Sequence, residues 1–519
     1  MIRSRYRAAT LLRDAESASS TRRRELLAWA VAAAAISLAR HIPFASDVFD
    51  LDLEGQVGSI FEGLIQRTYL RAGFAEIGGR PIQIAVPTDP VSGVVYCHHP
   101  PLVHWVTWPF VAAFGLREWV LRTPGMAMAA ASAALLAVFA RRHLGRLGAV
   151  AAIVVWSTMP MEFLYGRMTN YEAPVILLGL LGIPWLPSQR GGGYGPAAAI
   201  VLLATAFDWG GVFLVPGFLV HEWVATGRRP RVVDASLLAA GAIASVAAYV
   251  ALLAVWSGSL SAAVTKLVGA ASYSTSMRPG YRITEGIGVI ASHIVPMLTW
   301  PGLIATIAGC AAAASGRFAP PVRASIACWG LMAIVNVCAF PDRAIVHDYW
   351  WLYAGPLTTI AVAALADAAS RAPWRGGRIA AVGLVAIVAA AGIAQSHVRY
   401  RETDRPSLDL MARAIPTVTD EDTLLLGAMP FAPLPDITLF YFRAWVVPSA
   451  APAQEIGPYL ERFRRGELTV HKLGVLASRI PHPNLRSLTP IEMERLREMG
   501  FVEREHALSS RIQVLETSR

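Results

Sequence analysis

The chain has 519 residues, 55% of them hydrophobic and 16% charged, with a formal net charge of +10. Soluble domains carry about 25% charged residues, so an ordinary soluble enzyme is excluded. Extended disorder is excluded too, because aromatic residues make up 9% of the chain and are spread along most of it. The positive charge does not point to nucleic acid, since the arginines fall in short clusters between apolar runs, as orientation signals of a membrane protein do. Cys97, Cys310, Cys328 and Cys338 give no disulfide framework, three of them lying inside apolar runs.

The first apolar run, 26–39, follows Arg22-Arg23-Arg24. Many further spans follow it, so it reads as an uncleaved signal anchor. Later spans are expected at 119–140, 147–163, 172–187, 195–207, 210–224, 232–256, 286–313, 322–340, 350–369 and 378–396, about eleven in all. Arg141, Arg142, Arg146, Arg228, Arg229, Arg231, Arg317, Arg323, Arg371, Arg375 and Arg378 then fall on one side. The long segments 42–118 and 257–285 fall on the other and are poorer in basic residues. The excess of arginine places the N-terminus in the cytoplasm and the long segments outside. Residues 101–114 are apolar but short, which suits a helix lying at the interface.

From 398 the composition turns to Arg, Glu and Pro, with strand-like runs at 423–426, 437–442 and 512–515 and a helical pattern at 456–465. The fold class that follows is an α-helical polytopic membrane protein, residues 1–397, with a small soluble α/β domain, 398–519. An odd number of spans places that domain outside the cell membrane. No internal repeat is visible, which argues against an inverted-repeat transporter.

Ionisable residues at or near membrane depth are costly, and the outer segments collect several. Asp50, Asp52 and Glu54 alternate along 50–54: they form either a cap on an interfacial helix or a general base or cation site. His98-His99 precede a rigid Pro-Pro pair and fit either a fixed chain entry or a phosphate or metal contact. Glu172 opens a span without a charged neighbour, where a helix cap is the alternative. Asp208-Trp209-Gly210-Gly211 is a turn. The segment 257–285 supplies Lys266, Tyr273, Arg278, Tyr281 and Arg282, a solvated loop or a clamp on an anionic lipid head group. Arg343, His347, Asp348 and Tyr349 precede Trp350-Trp351, an interface anchor. All six clusters fall on one predicted face, whereas a transporter gathers polar groups at the midplane.

In this order the pieces resemble membrane glycosyltransferases of the GT-C fold, in the protein-mannosyltransferase-like family 39 group that includes the lipid-A aminoarabinose transferases. The resemblance covers 45–370. It is carried by the acidic stretch 50–54, by Gln66-Arg67-Thr68-Tyr69-Leu70-Arg71-Ala72-Gly73, and by His98-His99-Pro100-Pro101-Leu102. Phe114-Gly115 with Glu118-Trp119 and Arg122, Gly166-Arg167-Met168 through Glu172, Asp208-Trp209-Gly210 and His347-Asp348-Tyr349-Trp350 complete it. Two departures stand out: the first motif is Asp-Leu-Asp-Leu-Glu rather than Asp-Glu, and Glu172 replaces an aspartate.

The resemblance implies an inverting transfer of a sugar from a polyprenyl-phosphate donor in the membrane to an extracytoplasmic acceptor, in a bacterial plasma membrane and without nucleic acid. Asp52 or Glu54, with Asp50 beside them, supplies the base. Arg278, Arg282 and Lys266 meet the donor phosphate, and His98, His99, Asp208, His347, Asp348 and Tyr349 hold phosphate or sugar. A divalent cation (Mg2+ or Mn2+) would sit at Glu172 and Asp52. A polytopic transporter or flippase of lipid-linked sugars is the other reading. It differs in leaving the lipid-linked sugar intact.

Overall fold

A computed structural model describes residues 2–47, 59–86, 89–190, 192–275, 282–402, 423–428, 445–449, 452–467, 471–478, 487–503 and 512–518. Asp50, Asp52, Glu54, Arg278 and Tyr281 lie outside the described residues, as does the expected strand at 437–442.

The chain starts with α1 (Ile2–His41), α2 (Ser59–Ala72), a hairpin of β1 (Ile82–Val86) and β2 (Asp89–Val95), and α3 (Leu102–Phe114). The expected interfacial helix is α3: Pro101 caps its start, where no amide is needed, and Gly115 at φ 77° ends it. Ile65 and Tyr69 of α2 pack with Ile77, Ile82 and Trp108 into a small core.

Next come α4 (Glu118–His143), α5 (Arg146–Thr158), α6 (Pro160–Tyr165), α7 (Glu172–Gly182), α8 (Pro187–Arg190), α9 (Gly195–Phe207), α10 (Leu214–Thr226) and α11 (Val232–Ser257). The segment 257–285, expected as a loop, contains α12 (Leu260–Thr275). Its apolar positions recur at helical spacing, and Ala263 and Leu267 pack on Tyr249 and Leu253 of α11.

The remaining helices of the bundle are α13 (Ile283–Leu298), α14 (Trp300–Ala314), α15 (Pro320–Ala339), α16 (Pro341–Val346), α17 (Ala354–Ser370) and α18 (Gly377–Glu402). The stretch 286–313, expected as one span, is bent by 100° between α13 and α14. Thr299 sits at the bend with φ 65°, between Pro296 and Pro301, which remove backbone donors on either side.

Among the described residues, five helices are long and apolar enough to cross a membrane, and the bent pair makes a sixth. Of six shorter apolar helices, four fall on expected spans, at 147–163, 172–187, 195–207 and 350–369. A 13-residue helix such as α5 rises about 20 Å, against about 30 Å of hydrocarbon, so length alone does not make these helices spans. Outward-facing apolar side chains mark the lipid side: on α18, Ile379 is 77% and Ile387 61% exposed while Ala381 and Val385 are buried.

The C-terminal part contributes β3 (Thr423–Ala428), β4 (Trp445–Ser449), α19 (Pro452–Arg464), β5 (Lys472–Ser478), α20 (Pro490–Glu498), β6 (Val502–Glu503) and β7 (Ile512–Ser518). The strands form one sheet in the order β4-β3-β5-β7-β6, the first three parallel and the last two antiparallel. Ile456, Leu460 and Phe463 of α19 cover Leu473, Val475 and Leu515 of the sheet. α18 runs unbroken past residue 398 to Glu402.

Candidate functional site

Asp208 ends α9 in an extended conformation, and its buried carboxylate organises the turn that follows. Oδ2 accepts the Gly210 amide at 3.0 Å and the Tyr353 hydroxyl at 3.4 Å, while Oδ1 lies 2.6 Å from His99 Nδ1. Residue 210 has to be glycine for this approach: a Cβ there would stand 2.1 Å from the Tyr353 hydroxyl and 2.9 Å from Oδ2. The His-His-Pro-Pro loop is fixed from two further sides. Trp209 Nε1 donates to the His98 carbonyl at 2.6 Å, and the Tyr249 hydroxyl donates to the Cys97 carbonyl at 3.1 Å.

A second set of contacts continues from His99. Its ring stacks on Tyr171 with centroids 4.1 Å apart and planes 11° from parallel. The Tyr171 hydroxyl lies 3.3 Å from His104 Nε2, and His104 Nδ1 bonds the carboxylate of Glu62. Gln66 donates to Glu62 at 2.6 Å and to the His104 carbonyl at 2.8 Å. The result is a buried chain of polar groups, Glu62–His104–Tyr171–His99–Asp208–Tyr353, joining α2, α3, α7, α9 and α17. Sequence reasoning missed Glu62, His104 and Tyr353 as site residues. The available signal was Glu62 and Gln66 four apart, hence on the same face of α2 as buried Ile65 and Tyr69, and a histidine inside the apolar run of α3.

Glu172 begins α7 and is 1% exposed; neither carboxylate oxygen meets a side-chain partner among the described residues, and its nearest donors are the backbone amides of Tyr171 and Glu172 at the helix start. Asp208 is near enough for the two charges to repel. A buried carboxylate without a side-chain partner costs several kcal/mol in a low-dielectric setting, so this position is expensive for the fold.

On the other side of the histidine loop, the Arg343 guanidinium lies 3.4 Å from His98 Nδ1. Burial, then Arg343, then His99 push the His98 pKa down to about 4, so at neutral pH the ring is uncharged and Nδ1 accepts from Arg343. Burial raises the Tyr96 hydroxyl above its ordinary value.

The structure therefore brings together five of the residues singled out from sequence: His98, His99, Glu172, Asp208 and Arg343. Tyr349 is close to them electrostatically, and His347 stacks on Tyr349 with centroids 4.9 Å apart. Asp348 is instead engaged by Arg399 and the Tyr165 hydroxyl. Lys266 is exposed on α12, within electrostatic reach of Cys97. Arg282 is exposed at the start of α13, where its amide donates to Glu285 at 3.0 Å and caps the helix. Among the described residues no three His, Cys, Asp or Glu side chains converge as metal ligands. Asp208 has both oxygens in use, which leaves Glu172 as the open carboxylate of the cluster.

The end of α1 is anchored at the same end of the bundle. Arg122 donates to the carbonyls of Phe44 at 3.0 Å and Ala45 at 2.9 Å, and the Tyr400 hydroxyl donates to Asp47 at 2.7 Å. Buried Arg167 packs its guanidinium over Phe163 and Phe44, 5.1 and 5.5 Å from the ring centroids. Gly125 lets the segment leading to Glu172 pass against α4, since a Cβ there would meet the Met168 carbonyl at 2.1 Å.

Residues 98–256, which hold His98, His99, Glu172 and Asp208, match the family described as dolichyl-phosphate-mannose-protein mannosyltransferase. Among solved structures the chain is similar to ArnT from Cupriavidus metallidurans in the apo state, at 14% identity over 96% of this chain and 98% of that one, with a TM-score of 0.55. It is similar to the same protein bound to undecaprenyl phosphate at 15% identity, 94% and 97% coverage, and a TM-score of 0.56. A third similar structure is the arabinofuranosyltransferase AftD from Mycobacteria, at 13% identity over 95% of this chain but 40% of that one, with a TM-score of 0.50. No curated protein matches the sequence. At these identities the structures speak for the architecture: the chain has the GT-C fold of these membrane glycosyltransferases, and its segment 98–256 carries the sequence pattern of the mannosyltransferase family.

Proposed function

We propose that the protein transfers a sugar from a polyprenyl-phosphate donor to an acceptor on the extracytoplasmic side of a bacterial plasma membrane, with inversion at the anomeric carbon. The observation that carries this reading is the buried Glu172, with no side-chain partner among the described residues, beside the His99–Asp208–Tyr353 assembly at one end of a GT-C bundle. Undecaprenyl phosphate bound to ArnT, a protein of the same fold, supports the choice of donor.

In this mechanism the donor tail lies along the apolar helices, and its phosphate and sugar enter the end of the bundle that holds the histidine loop. Asp52 or Glu54 removes the proton from an acceptor hydroxyl. The freed oxygen attacks the anomeric carbon, and the bond to the phosphate oxygen breaks, releasing polyprenyl phosphate. Arg343 already lies at the His98 ring and supplies positive charge for the departing phosphate, with Arg278 and Arg282 as further candidates. Glu172 accepts hydrogen bonds from sugar hydroxyls, partners that no described side chain supplies. The Asp208-held imidazole of His99 is fixed in one orientation, with the proton on Nδ1 and Nε2 left for the ligand. A divalent cation would use Glu172 as its described ligand and would neutralise phosphate charge.

Envelope glycans compared between a deletion strain, that strain carrying wild type, and that strain carrying Asp52→Asn test the reading. Loss of one sugar, restored by wild type alone, is expected. Glycans unchanged in all three strains, with lipid-linked sugar redistributed between leaflets, would establish the flippase instead. A reporter fused after Arg519 is expected to report the outer side for residues 398–519.

A further inference from the structure

Helix α2 carries two buried polar side chains, Glu62 and Gln66, one turn apart and both bonded to α3. Glu62 is 2% exposed and accepts twice, from Gln66 Nε2 at 2.6 Å and from His104 Nδ1. His104 is fully buried, and its Nε2 lies 3.3 Å from the Tyr171 hydroxyl, which the Tyr96 side chain also hydrogen-bonds. For stability alone this is a poor arrangement. Gln66 Oε1 has no partner among the described residues, and a partly satisfied buried network serves a fold less well than apolar packing. The apolar side of α2 already holds the helix in place, with Ile65 and Tyr69 packed on Ile77 and Ile82.

The contacts end at two groups of the site. Tyr171 is the residue before α7, so fixing its hydroxyl fixes the turn from which Glu172 starts. The backbone amides of Tyr171 and Glu172 are the nearest donors to the Glu172 carboxylate, hence a shift of that turn moves the carboxylate with it. The Tyr171 ring also lies almost parallel to that of His99, with centroids 4.1 Å apart. Asp208 holds His99 at Nδ1 alone, which leaves the imidazole free to rock about that bond. The face of Tyr171 sets the plane.

We propose that Glu62 and His104 are positioning residues for sugar transfer: acting through Tyr171, they set the plane of His99 and the place of the Glu172 carboxylate. The assignment rests on the reaction proposed above. A carboxylate accepts from Gln66 and His104 at once, whereas an amide of the same size accepts from one and turns its NH2 to the other. Glu62→Gln therefore breaks the chain without changing its packing. Tyr171→Phe breaks it at the hydroxyl and keeps the ring on His99.

The test compares wild type, Glu62→Gln, Tyr171→Phe, the double variant E62Q/Y171F and Ile65→Ala, each as the full chain in lipid nanodiscs. Two quantities are measured: sugar transfer from a polyprenyl-phosphate donor, and the rate at which diethyl pyrocarbonate labels His99, read by mass spectrometry without donor. Both single variants are expected to lower kcat at least about tenfold, with the donor KM within about threefold of wild type, and to speed His99 labelling at least about threefold. Because they cut one chain, the double variant is expected within about threefold of the slower single one; effects that multiply to about 100-fold would be independent and overturn the proposal. Ile65→Ala loosens α2 without touching the chain, and its kcat per folded molecule and labelling rate are expected to match wild type. A loss there equal to that of Glu62→Gln would make the chain a fold contact and overturns the proposal, as does wild-type kcat in Glu62→Gln. Should wild type itself transfer no sugar, the transfer reading fails and the labelling decides. Faster His99 labelling in both single variants then supports the positioning role, and equal rates in all proteins overturn it.

Discussion

Two buried acids, Asp367 and Glu172, are treated in opposite ways at the two ends of the helical bundle. Where α4 ends and α17 ends, Asp367 accepts the Gly145 amide and pairs with Arg371, and Glu25 pairs with Arg141. Those acids join one helix to the next, and their charge is answered by cations of the protein itself. Where α4 and α7 begin, Asp208 is spent on orienting His99 and Tyr353, and Glu172 stands buried with no side-chain partner among the described residues. A protein that can satisfy Asp367 twice over could satisfy Glu172 as well. Leaving it without a side-chain partner lowers stability, and in the proposed reaction a ligand from outside the chain supplies those partners.

The largest effect is expected at Asp208. Replacement by alanine removes the acceptor for His99, Gly210 and Tyr353 together, so Asp208→Ala should destabilise the protein by about 3 kcal/mol and abolish transfer; thermal unfolding and a transfer assay check both. Glu172→Gln should separate the two quantities. Transfer is expected to fall about 100-fold or more through lost stabilisation of the transition state, while the melting temperature holds because the carboxyl has no side-chain partner to lose. A variant that melts lower and transfers normally would make Glu172 a structural acid like Asp367.

The converse is expected at the other end. Asp367→Ala should cost about 1–2 kcal/mol through the lost Gly145 and Arg371 contacts, with transfer per folded molecule unchanged. The smallest effect concerns His98. Its pKa is lowered to about 4, so between that value and the ordinary one near 6.5 the unfolded chain binds more protons than the folded one. Stability should therefore fall as pH drops from 6.5 towards 4, and His98→Gln should flatten that part of the profile in melts recorded across the range.

Much of this contrast was legible in the sequence. His98-His99, Glu172 and Asp208 stand out because each interrupts apolar sequence next to proline or glycine, and the arginine clusters alternate with them. The partners of these residues were not legible: His99 and Asp208, or Tyr353 and Asp208, are joined only by the packing of helices distant in sequence. Glu62 and His104 were hidden for the same reason, since each reads singly as an ordinary polar position. Arg282 was legible as a basic position but not as the start of α13, where its amide donates to Glu285. The bend at Thr299 escaped because hydropathy is continuous through 286–313, and hydropathy does not record a break in backbone hydrogen bonding.

The most direct test of the account is to follow a radiolabelled polyprenyl-phosphate sugar in membranes containing wild type or Glu172→Gln protein, with free polyprenyl phosphate as the readout. The account predicts release of polyprenyl phosphate, matched by sugar appearing on an acceptor with inverted configuration, in wild type and a loss of at least about 100-fold in Glu172→Gln. Donor that stays intact with wild type, or equal release from both proteins, would contradict it.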